Sequence, residues 1–236
     1  MKKYKLTKET ISWDYVTLHR IEALTTFTLI NGEEIHPGNK GGWVESENNL
    51  SHEGNCWILD EAVVCDNAKV CDEAIVCDHA RVYNNAYISG CARVCDHAQV
   101  YNNAYVSGRA RVCDHVRVCD HAKVYEDVKA YGDANIFDSA CVFGCVHVCA
   151  DVYICGRATI TGDAIIKSVS DYIVFKNWWS SGRYFTWTRS NNMWKVGCFY
   201  GTGEQLIKKA SKDSGLSGQE YERIVKYVND THFSKN

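Results

Sequence analysis

Hydrophobic and polar positions recur in blocks of six along the middle of the chain. From Ala62 to Val169 the sequence divides into eighteen hexads without an insertion or a deletion. The first position is Ala in fourteen hexads and Val in four, and the third is Val in twelve, Ile in five and Ala in one. Because side chains alternate along a strand, the first and third positions share one face. Each hexad therefore predicts a short strand with its small apolar residues turned inward.

The fifth position of the hexad is mostly Asp, Asn or Gly. These residues tolerate left-handed backbone geometry and are typical of turns. The hexad thus predicts a strand followed by a corner. An α-helix is excluded, because a period of six does not keep one helical face buried.

A second, longer period sets the shape of the repeat. Residues 81–98 and 99–116 are identical at fourteen of eighteen positions. Three hexads therefore complete one turn, which predicts a triangular cross-section. Each turn should stack on the previous one at the strand spacing of about 4.8 Å.

These hexads resemble the hexapeptide-repeat class of left-handed parallel β-helices. The resemblance covers residues 62–169, and it implies a mainly β fold and a left hand. One feature departs from the usual motif: Cys, Tyr, Ser or Phe directly follows the aliphatic residue, and Gly or Asp comes one place later. This variant, together with the segment GGWVESENNLSHEGNCW (41–57), is similar to uncharacterised bacterial and prophage repeat proteins.

The pattern divides the chain into three parts. Residues 44–169 are predicted as the β-helix, with weaker hexads upstream of Ala62. Residues 1–43 are predicted to form an N-terminal capping segment with a hairpin at 26–35, and Trp43 and Trp57 are expected to plug the first coils. Residues 170–236 are predicted as a small C-terminal α+β domain, a three-stranded meander followed by two amphipathic helices.

Composition and charge predict the cellular compartment of the protein better than they predict its function. The formal net charge is −3, so no global charge selects a nucleic acid or a membrane. No apolar run reaches the roughly 20 residues that span a bilayer, and the N-terminus lacks a secretory pattern. A cytoplasmic protein is therefore expected. Its thirteen cysteines are expected to be reduced thiols, although disulfides between turns are geometrically conceivable.

The triplet Cys-Asp-His occurs four times, beginning at Cys77, Cys95, Cys113 and Cys119. The first three copies are eighteen residues apart and should form columns along one edge, while the fourth falls on another edge. Such columns could hold zinc. The favoured interpretation is structural, with Asp in the corner, His over it and Cys as a small side chain beside it. No metal and no cofactor is predicted.

Outward positions of the faces offer candidate binding residues. One face presents a positive ladder of Arg93, Arg111 and Lys129, between apolar ends at Ile75 and Ile165. A neighbouring face presents Tyr87 and Tyr105. These side chains form either an ordinary solvated surface or a rigid platform for a partner.

The C-terminal domain is the densest aromatic region. Its aromatic residues, Trp178 and Trp179 among them, could stack bases, and the interleaved cations could hold phosphates; these cations are Lys176, Arg183, Arg189 and Lys195. Alternating apolar residues in the same stretch equally predict an ordinary core, which is favoured.

The leading functional hypothesis is a non-enzymatic, rigid interaction or scaffold protein without catalytic residues. The prophage resemblance suggests an inhibitor that binds a host defence protein. A hexapeptide-repeat acyltransferase is one alternative, with His97 or His115 as a base, although eighteen hexads without an inserted loop argue against the usual cleft. A nucleic-acid-binding protein that uses the C-terminal domain is another. Partners are expected to be a host protein or a second copy of this chain, and not a membrane.

Overall fold

The computed structural model describes residues 2–232 of the chain. It is mainly β: a parallel β-solenoid of about seven turns with an eighteen-residue repeat, followed by a small sheet and two helices. The predicted parallel β-solenoid with three hexads per turn is thus confirmed. Among the described residues, no helix is both long and apolar enough to cross a bilayer.

Two antiparallel hairpins precede the solenoid. The longer pairs β1 (Tyr4–Trp13) with β2 (Val16–Ala23), and the shorter pairs β3 (Phe27–Thr28) with β4 (Glu34–Ile35). Strand β5 (Lys40–Val44) then pairs antiparallel with β2 and parallel with the first regular coil. The shorter hairpin turns at Asn31-Gly32, within the segment where the sequence places one. The longer hairpin was not predicted.

The solenoid strands are short and evenly spaced. In chain order they are β6 Trp57–Ile58, β7 Val63–Val64, β8 Lys69–Val70, β9 Ile75–Val76, β10 Arg81–Val82, β11 Tyr87–Ile88, β12 Arg93–Val94, β13 Gln99–Val100, β14 Tyr105–Val106, β15 Arg111–Val112, β16 Arg117–Val118, β17 Lys123–Val124, β18 Lys129–Ala130, β19 Asn135–Ile136, β20 Cys141–Val142, β21 His147–Val148, β22 Tyr153–Ile154, β23 Thr159–Ile160 and β24 Ile165–Ile166. Short 3-10 helices at Glu47–Asn49 and Val169–Asp171 flank this run.

These strands form three parallel sheets, one per face of the prism. The first face contains β5, β7, β10, β13, β16, β19 and β22; the second contains β8, β11, β14, β17, β20 and β23; the third contains β6, β9, β12, β15, β18, β21 and β24. From β6 onward each strand residue pairs with the residue eighteen positions on, as Val94 does with Val112. The register therefore repeats without a slip from β6 to β24.

Small apolar residues fill the interior of the prism. Every Ala or Val at the first hexad position between Ala62 and Ala164 is at most 1% exposed, and the third position is equally buried. Burying one valine side chain contributes roughly 1.5–3 kcal/mol, so the stack of coils carries most of the apolar stabilisation of the fold.

The corners follow from the fifth hexad position. Asp78, Asp96 and Asp114 have φ of 61°, 57° and 57°, and glycines take the same left-handed conformation at other corners. Two corners use residues that are less suited to it: Glu126 has φ 62° and Ala150 has φ 67°. The abundance of Asp, Asn and Gly at this position is thus a backbone requirement of the corner.

The two N-terminal hairpins cover the outside of the first coils. Trp43 pairs with Val63 and Trp57 pairs with Ile75, both at outward hexad positions. Phe27 of the short hairpin packs edge-on against Trp57, with ring centroids 5.2 Å apart. The expectation that Trp43 and Trp57 plug the coils is therefore wrong: they lie on outer faces and are buried because the hairpins fold back over them.

The C-terminal segment forms four strands rather than the predicted three. These are β25 (Tyr172–Lys176), β26 (Tyr184–Thr188), β27 (Met193–Val196) and β28 (Phe199–Gly201), in an antiparallel meander. Strand β28 escapes the sequence pattern because it is only three residues long and follows a tight turn at Gly197. Helices α1 (Gly203–Asp213) and α2 (Gly215–His232) pack on this sheet around the buried side chains of Phe185, Trp194 and Val228.

The C-terminal sheet docks against the last coil of the solenoid. In earlier turns the backbone N–H at the second hexad position donates to a carbonyl of the next turn, as Lys123 does to Ala140. In the last turn, the N–H of Thr159 donates to Thr186 Oγ1 at 2.9 Å, and the N–H of Ile165 donates to Ser190 Oγ at 2.7 Å. Two hydroxyl groups thus replace the carbonyls of a missing next coil.

Candidate functional site

The Cys-Asp-His columns lie along the edge between the third and first faces. Here Asp78 Oδ2 accepts the backbone N–H of Asp96 at 3.2 Å, and Asp96 Oδ2 accepts the N–H of Asp114 at 3.1 Å. Asp114 Oδ2 in turn accepts the N–H of Gly132 at 2.8 Å. Each carboxylate therefore stabilises the corner one turn on, which explains why Asp recurs there without a catalytic role.

The histidines of the same edge form an exposed stack. The ring centroids of His79 and His97 are 5.1 Å apart, and those of His97 and His115 are 5.2 Å apart. Beyond the stack, His115 Nδ1 lies 4.0 Å from Asp133 Oδ1. The imidazoles are accessible, but they repeat in parallel and do not converge on a common point.

The cysteines of this edge are buried beneath the histidines. Cys95 and Cys113 form a disulfide across adjacent turns, with their Cα atoms 4.7 Å apart. The expectation of reduced thiols is wrong for this pair, because the stacking of turns brings the two side chains together. Burial raises the pKa of the neighbouring Cys77 thiol to about 12, so this thiol is protonated at neutral pH and is a poor nucleophile and metal ligand.

One group of potential metal ligands exists among residues 2–232. It consists of Cys95, Asp96 and Cys113, whose ligand atoms lie within 4.8 Å of one another. Both sulfurs are used by the disulfide, and Asp96 is used by the next corner. This arrangement of donor atoms does not favour zinc, because cysteine binds zinc as a free thiolate and both sulfurs are held in the disulfide.

The positive ladder lies on the third face. Arg93, Arg111 and Lys129 pair in register on β12, β15 and β18. Arg93 and Arg111 are exposed and Lys129 is half-buried. The ladder has one apolar end in solvent, Ile165, whereas Ile75 is only 1% exposed and belongs to the main core. Ile75 therefore occupies an outward hexad position without being exposed to solvent.

The two tyrosines lie on the second face, separate from the ladder. Tyr87 and Tyr105 stack in parallel with ring centroids 5.6 Å apart. The Cys71 sulfur and the Tyr87 hydroxyl oxygen are hydrogen-bonded at 3.1 Å, and a Tyr87 O–H that donates to this sulfur raises the pKa of Tyr87 to about 12. Arg and Tyr anchors thus occupy different faces and do not form one patch.

The aromatic and basic residues predicted in the C-terminal domain are also divided. Trp178 is 74% exposed, whereas Trp179 packs edge-on against Tyr221, with ring centroids 5.0 Å apart. Arg189 is hydrogen-bonded to His232 and is half-buried. Trp178 and Arg183 remain available to solvent, so the structure does not bring the four residues into one binding surface.

The edge between the first and second faces carries a different column. Residues eighteen apart on this edge are Asn85, Asn103, His121, Ser139 and Arg157. The backbone N–H of His121 donates to Asp138 O at 2.8 Å, and that of Ser139 donates to Gly156 O at 2.9 Å. His121, Ser139 and Arg157 therefore lie on three consecutive turns. We call this column the His121 edge.

The His121 edge ends in a groove beneath the C-terminal sheet. The groove has a volume of about 510 Å³ and lies between the last corners of the solenoid and strands β26 and β27. Its lining residues are Ser139, Arg157, Thr159, Ser181, Gly182, Arg183, Tyr184, Lys195 and Gly197. We call it the basic groove, because its lining within residues 2–232 has three cationic side chains and no carboxylate.

Of the three groove cations, Arg183 and Lys195 belong to the basic aromatic stretch that the sequence analysis singled out, whereas Arg157 does not. The eighteen-residue period does place His121, Ser139 and Arg157 in one column, so the solenoid part of the candidate site could be predicted from the repeat. Lys195 and Tyr184 could not be assigned to the same place, because they come from a segment that does not repeat. Their position depends on how the sheet docks.

Comparisons with known proteins provide limited support for a family. No family model matches the chain. A protein of Escherichia coli K12 described as "Uncharacterized acetyltransferase YdcK" is 33% identical over an alignment of 72 residues, and the match covers 27% of this chain and 21% of that protein. The match thus spans about a fifth of the relative's length. It is consistent with the resemblance to hexapeptide-repeat proteins.

Proposed function

We propose that the protein is an acyltransferase of the hexapeptide-repeat type, with its site at the His121 edge. The observation that carries this proposal is the placement of an exposed imidazole on the same column as a groove with three cations. The match to a protein described as an acetyltransferase supports the same reaction class. The proposal replaces His97 and His115 as candidate bases, because the groove with three cations lies at the end of the His121 edge and is lined by neither of these histidines.

Acyl transfer needs a base for the acceptor and a place for the donor. An acceptor amine or hydroxyl attacks the carbonyl carbon of an acyl thioester, and the C–S bond breaks. His121 would take the proton that the acceptor loses and return it to the departing thiolate. Ser139, one turn on, offers a hydroxyl to orient the reacting groups. Arg157 is two turns from His121, about 10 Å along the column, so the cations would hold a distant part of the donor.

Replacing His121 with alanine should lower acyl transfer by at least about 100-fold, which is the usual contribution of a general base. The measurement is the chromatographic release of coenzyme A from acetyl-coenzyme A in the presence of a panel of amines and alcohols. His97→Ala is the matched control, because it removes the same residue type from the same hexad position of another edge. Equal rates in both variants, or no transfer by the wild-type protein, would contradict the proposal.

A second candidate is the non-enzymatic interaction protein that the sequence favours. It is supported by the third face, where Arg93, Arg111 and Lys129 form a rigid strip, and no ion pair engages them within the described part of the chain. Such a strip suits an acidic protein surface. A prophage origin and a host defence target stay predictions.

Charge reversal at Arg111 separates the two candidates. If the strip binds an acidic partner, Arg111→Glu should abolish co-purification of that partner from a host lysate, because the central cation becomes repulsive. Acyl transfer should be unchanged in this variant. Arg117→Glu, on the first face, is the control for a change of net charge. Retention of the partner by Arg111→Glu would exclude the strip.

A further inference from the structure

The basic groove is a built concavity rather than a bare patch of charge. One wall is the solenoid corner with Ser139 and Arg157, and the other is the sheet with Tyr184 and Lys195. The rim is formed by the loop between β25 and β26. Because its walls come from the solenoid and from the C-terminal sheet, the groove exists only when the sheet is docked.

The rim loop is held in one conformation by its own hydrogen bonds. The N–H of Asn177 donates to Arg183 O at 2.8 Å and closes the loop. Asn177 Oδ1 accepts the N–H of Ser180 at 2.9 Å and its hydroxyl at 3.1 Å. Gly182 takes a left-handed φ of 65°, which turns the chain back toward the sheet. Arg183 is therefore presented from a closed loop.

Aromatic rings position the other cations. The Arg157 guanidinium lies 5.4 Å from the centroid of the Tyr184 ring, and Lys176 Nζ lies 5.8 Å from the same centroid. Lys195 Nζ lies 5.6 Å from the centroid of the Phe143 ring. Stacking of this kind orients a cation without neutralising its charge. The groove cations are thus preorganised and still able to bind an anion.

The positive charge of the groove is not neutralised by ion pairs among the described residues. Within residues 2–232, neither Arg157 nor Arg183 nor Lys195 forms an ion pair with a carboxylate. Neighbouring cations repel one another, and an anion between them removes that repulsion. Two guanidinium groups can also donate paired hydrogen bonds to a tetrahedral oxyanion, which a lone lysine cannot do.

We infer that the basic groove binds a small ligand through its phosphate group, with Arg157, Arg183 and Lys195 as the anion-binding residues. A phosphate carries up to two charges and several acceptor oxygens, so it fits three converging cations better than a carboxylate does. The inference deepens the proposed function, because it names the chemical class of ligand that binds at the end of the His121 edge. It rests on the proposed function only in identifying that ligand as the acyl donor.

A small phosphate compound fits this site better than a nucleic acid strand. A strand needs a continuous row of cations and exposed rings. Beyond the groove, Trp179 is packed against Tyr221, and Arg189 is hydrogen-bonded to His232. The cations converge on one cavity and do not track along a surface.

Calorimetric titration with pyrophosphate tests the inference. The wild-type protein should bind pyrophosphate, and the double variant Arg157→Gln/Arg183→Gln should bind it at least about tenfold more weakly, because two charge-assisted contacts are lost. Arg93→Gln/Arg111→Gln is the matched control with the same change of net charge, and it should bind like the wild-type protein. Lys195→Gln should show an intermediate loss. Circular dichroism on each variant establishes that it is folded.

The outcomes are distinct. Absence of pyrophosphate binding, or equal weakening in both double variants, would overturn the inference. Binding of a single-stranded oligonucleotide that pyrophosphate does not displace would also overturn it. His121→Ala should bind pyrophosphate normally, since the imidazole is not part of the groove. Pyrophosphate binding without acyl transfer would therefore contradict only the proposed function, and acyl transfer without pyrophosphate binding would contradict only this inference.

Discussion

Replacing Val112 with aspartate is expected to unfold the solenoid, whereas replacing the adjacent Arg111 with aspartate is expected to leave it intact. Val112 is fully buried and pairs with Val94 and Ala130 on the neighbouring turns. Its replacement removes roughly 1.5–3 kcal/mol of apolar burial. It also places a carboxylate among aliphatic side chains that offer it no partner. A loss of more than about 4 kcal/mol in the free energy of unfolding follows.

Arg111→Asp is a stringent control because the two positions are adjacent on β15 and point to opposite sides. Arg111 lies between Arg93 and Lys129 on the outer face, so an acidic side chain there meets cations and solvent. Its effect should stay within about 0.5 kcal/mol. Denaturant titration followed by far-ultraviolet circular dichroism measures the free energy of unfolding of both variants. Reducing conditions open the Cys95–Cys113 disulfide during the titration. Similar losses for the two variants would show that Val112 does not face a dry core.

The contrast between these neighbours explains why so much of the fold was predictable. Inward and outward positions alternate, and the same alternation recurs at every hexad from Ala62 onward. The corners were equally predictable, because Asp96 and Gly132 take the left-handed conformation that their residue types favour. Local preference and long-range register thus agree throughout the repeat.

Prediction failed where the chain stops repeating. The β1–β2 hairpin was missed because its long strands carry no period-six signal, and β28 was missed because three residues give no pattern. The same limit applies to the candidate site. His121 was treated as the odd fourth copy of a triplet, although its different edge is what places it on the same column as Arg157, two turns away. The repeat predicts which residues form a column, whereas the position of the docked C-terminal sheet decides which column ends in a groove.

The nine predicted partner-binding residues illustrate a related difficulty. Arg111 and Tyr105 are close in sequence, but they lie on different faces of the prism. Trp179 and Arg189 have partners on helix α2. Residue type alone indicated surface chemistry, whereas the availability of each side chain depends on non-repeating contacts. Arg183 is a member of the set that lines the basic groove.

Removing the C-terminal sheet and helices is expected to convert the protein into an associating species. A chain that ends at Ser168 loses Thr186 and Ser190, whose hydroxyls accept the N–H groups of Thr159 and Ile165. It also loses the Tyr172 hydroxyl, which donates to Tyr153 O at 2.8 Å. The last coil would then present open strand edges, and such edges pair with other chains. Size-exclusion chromatography with light scattering should show multimers whose mass rises with concentration.

A milder variant separates the capping bonds from the bulk of the domain. Thr186→Val/Ser190→Ala keeps the sheet but orphans both N–H groups, at a cost of about 1–3 kcal/mol each. This variant should therefore have a lower thermal midpoint than the wild-type protein and the same mass, because the docked sheet still shields the coil. If the truncated chain instead remained a monomer with an unchanged midpoint, the last coil would need no cap. Docking of the sheet, which forms one wall of the basic groove, would then have a cause other than capping of the last coil.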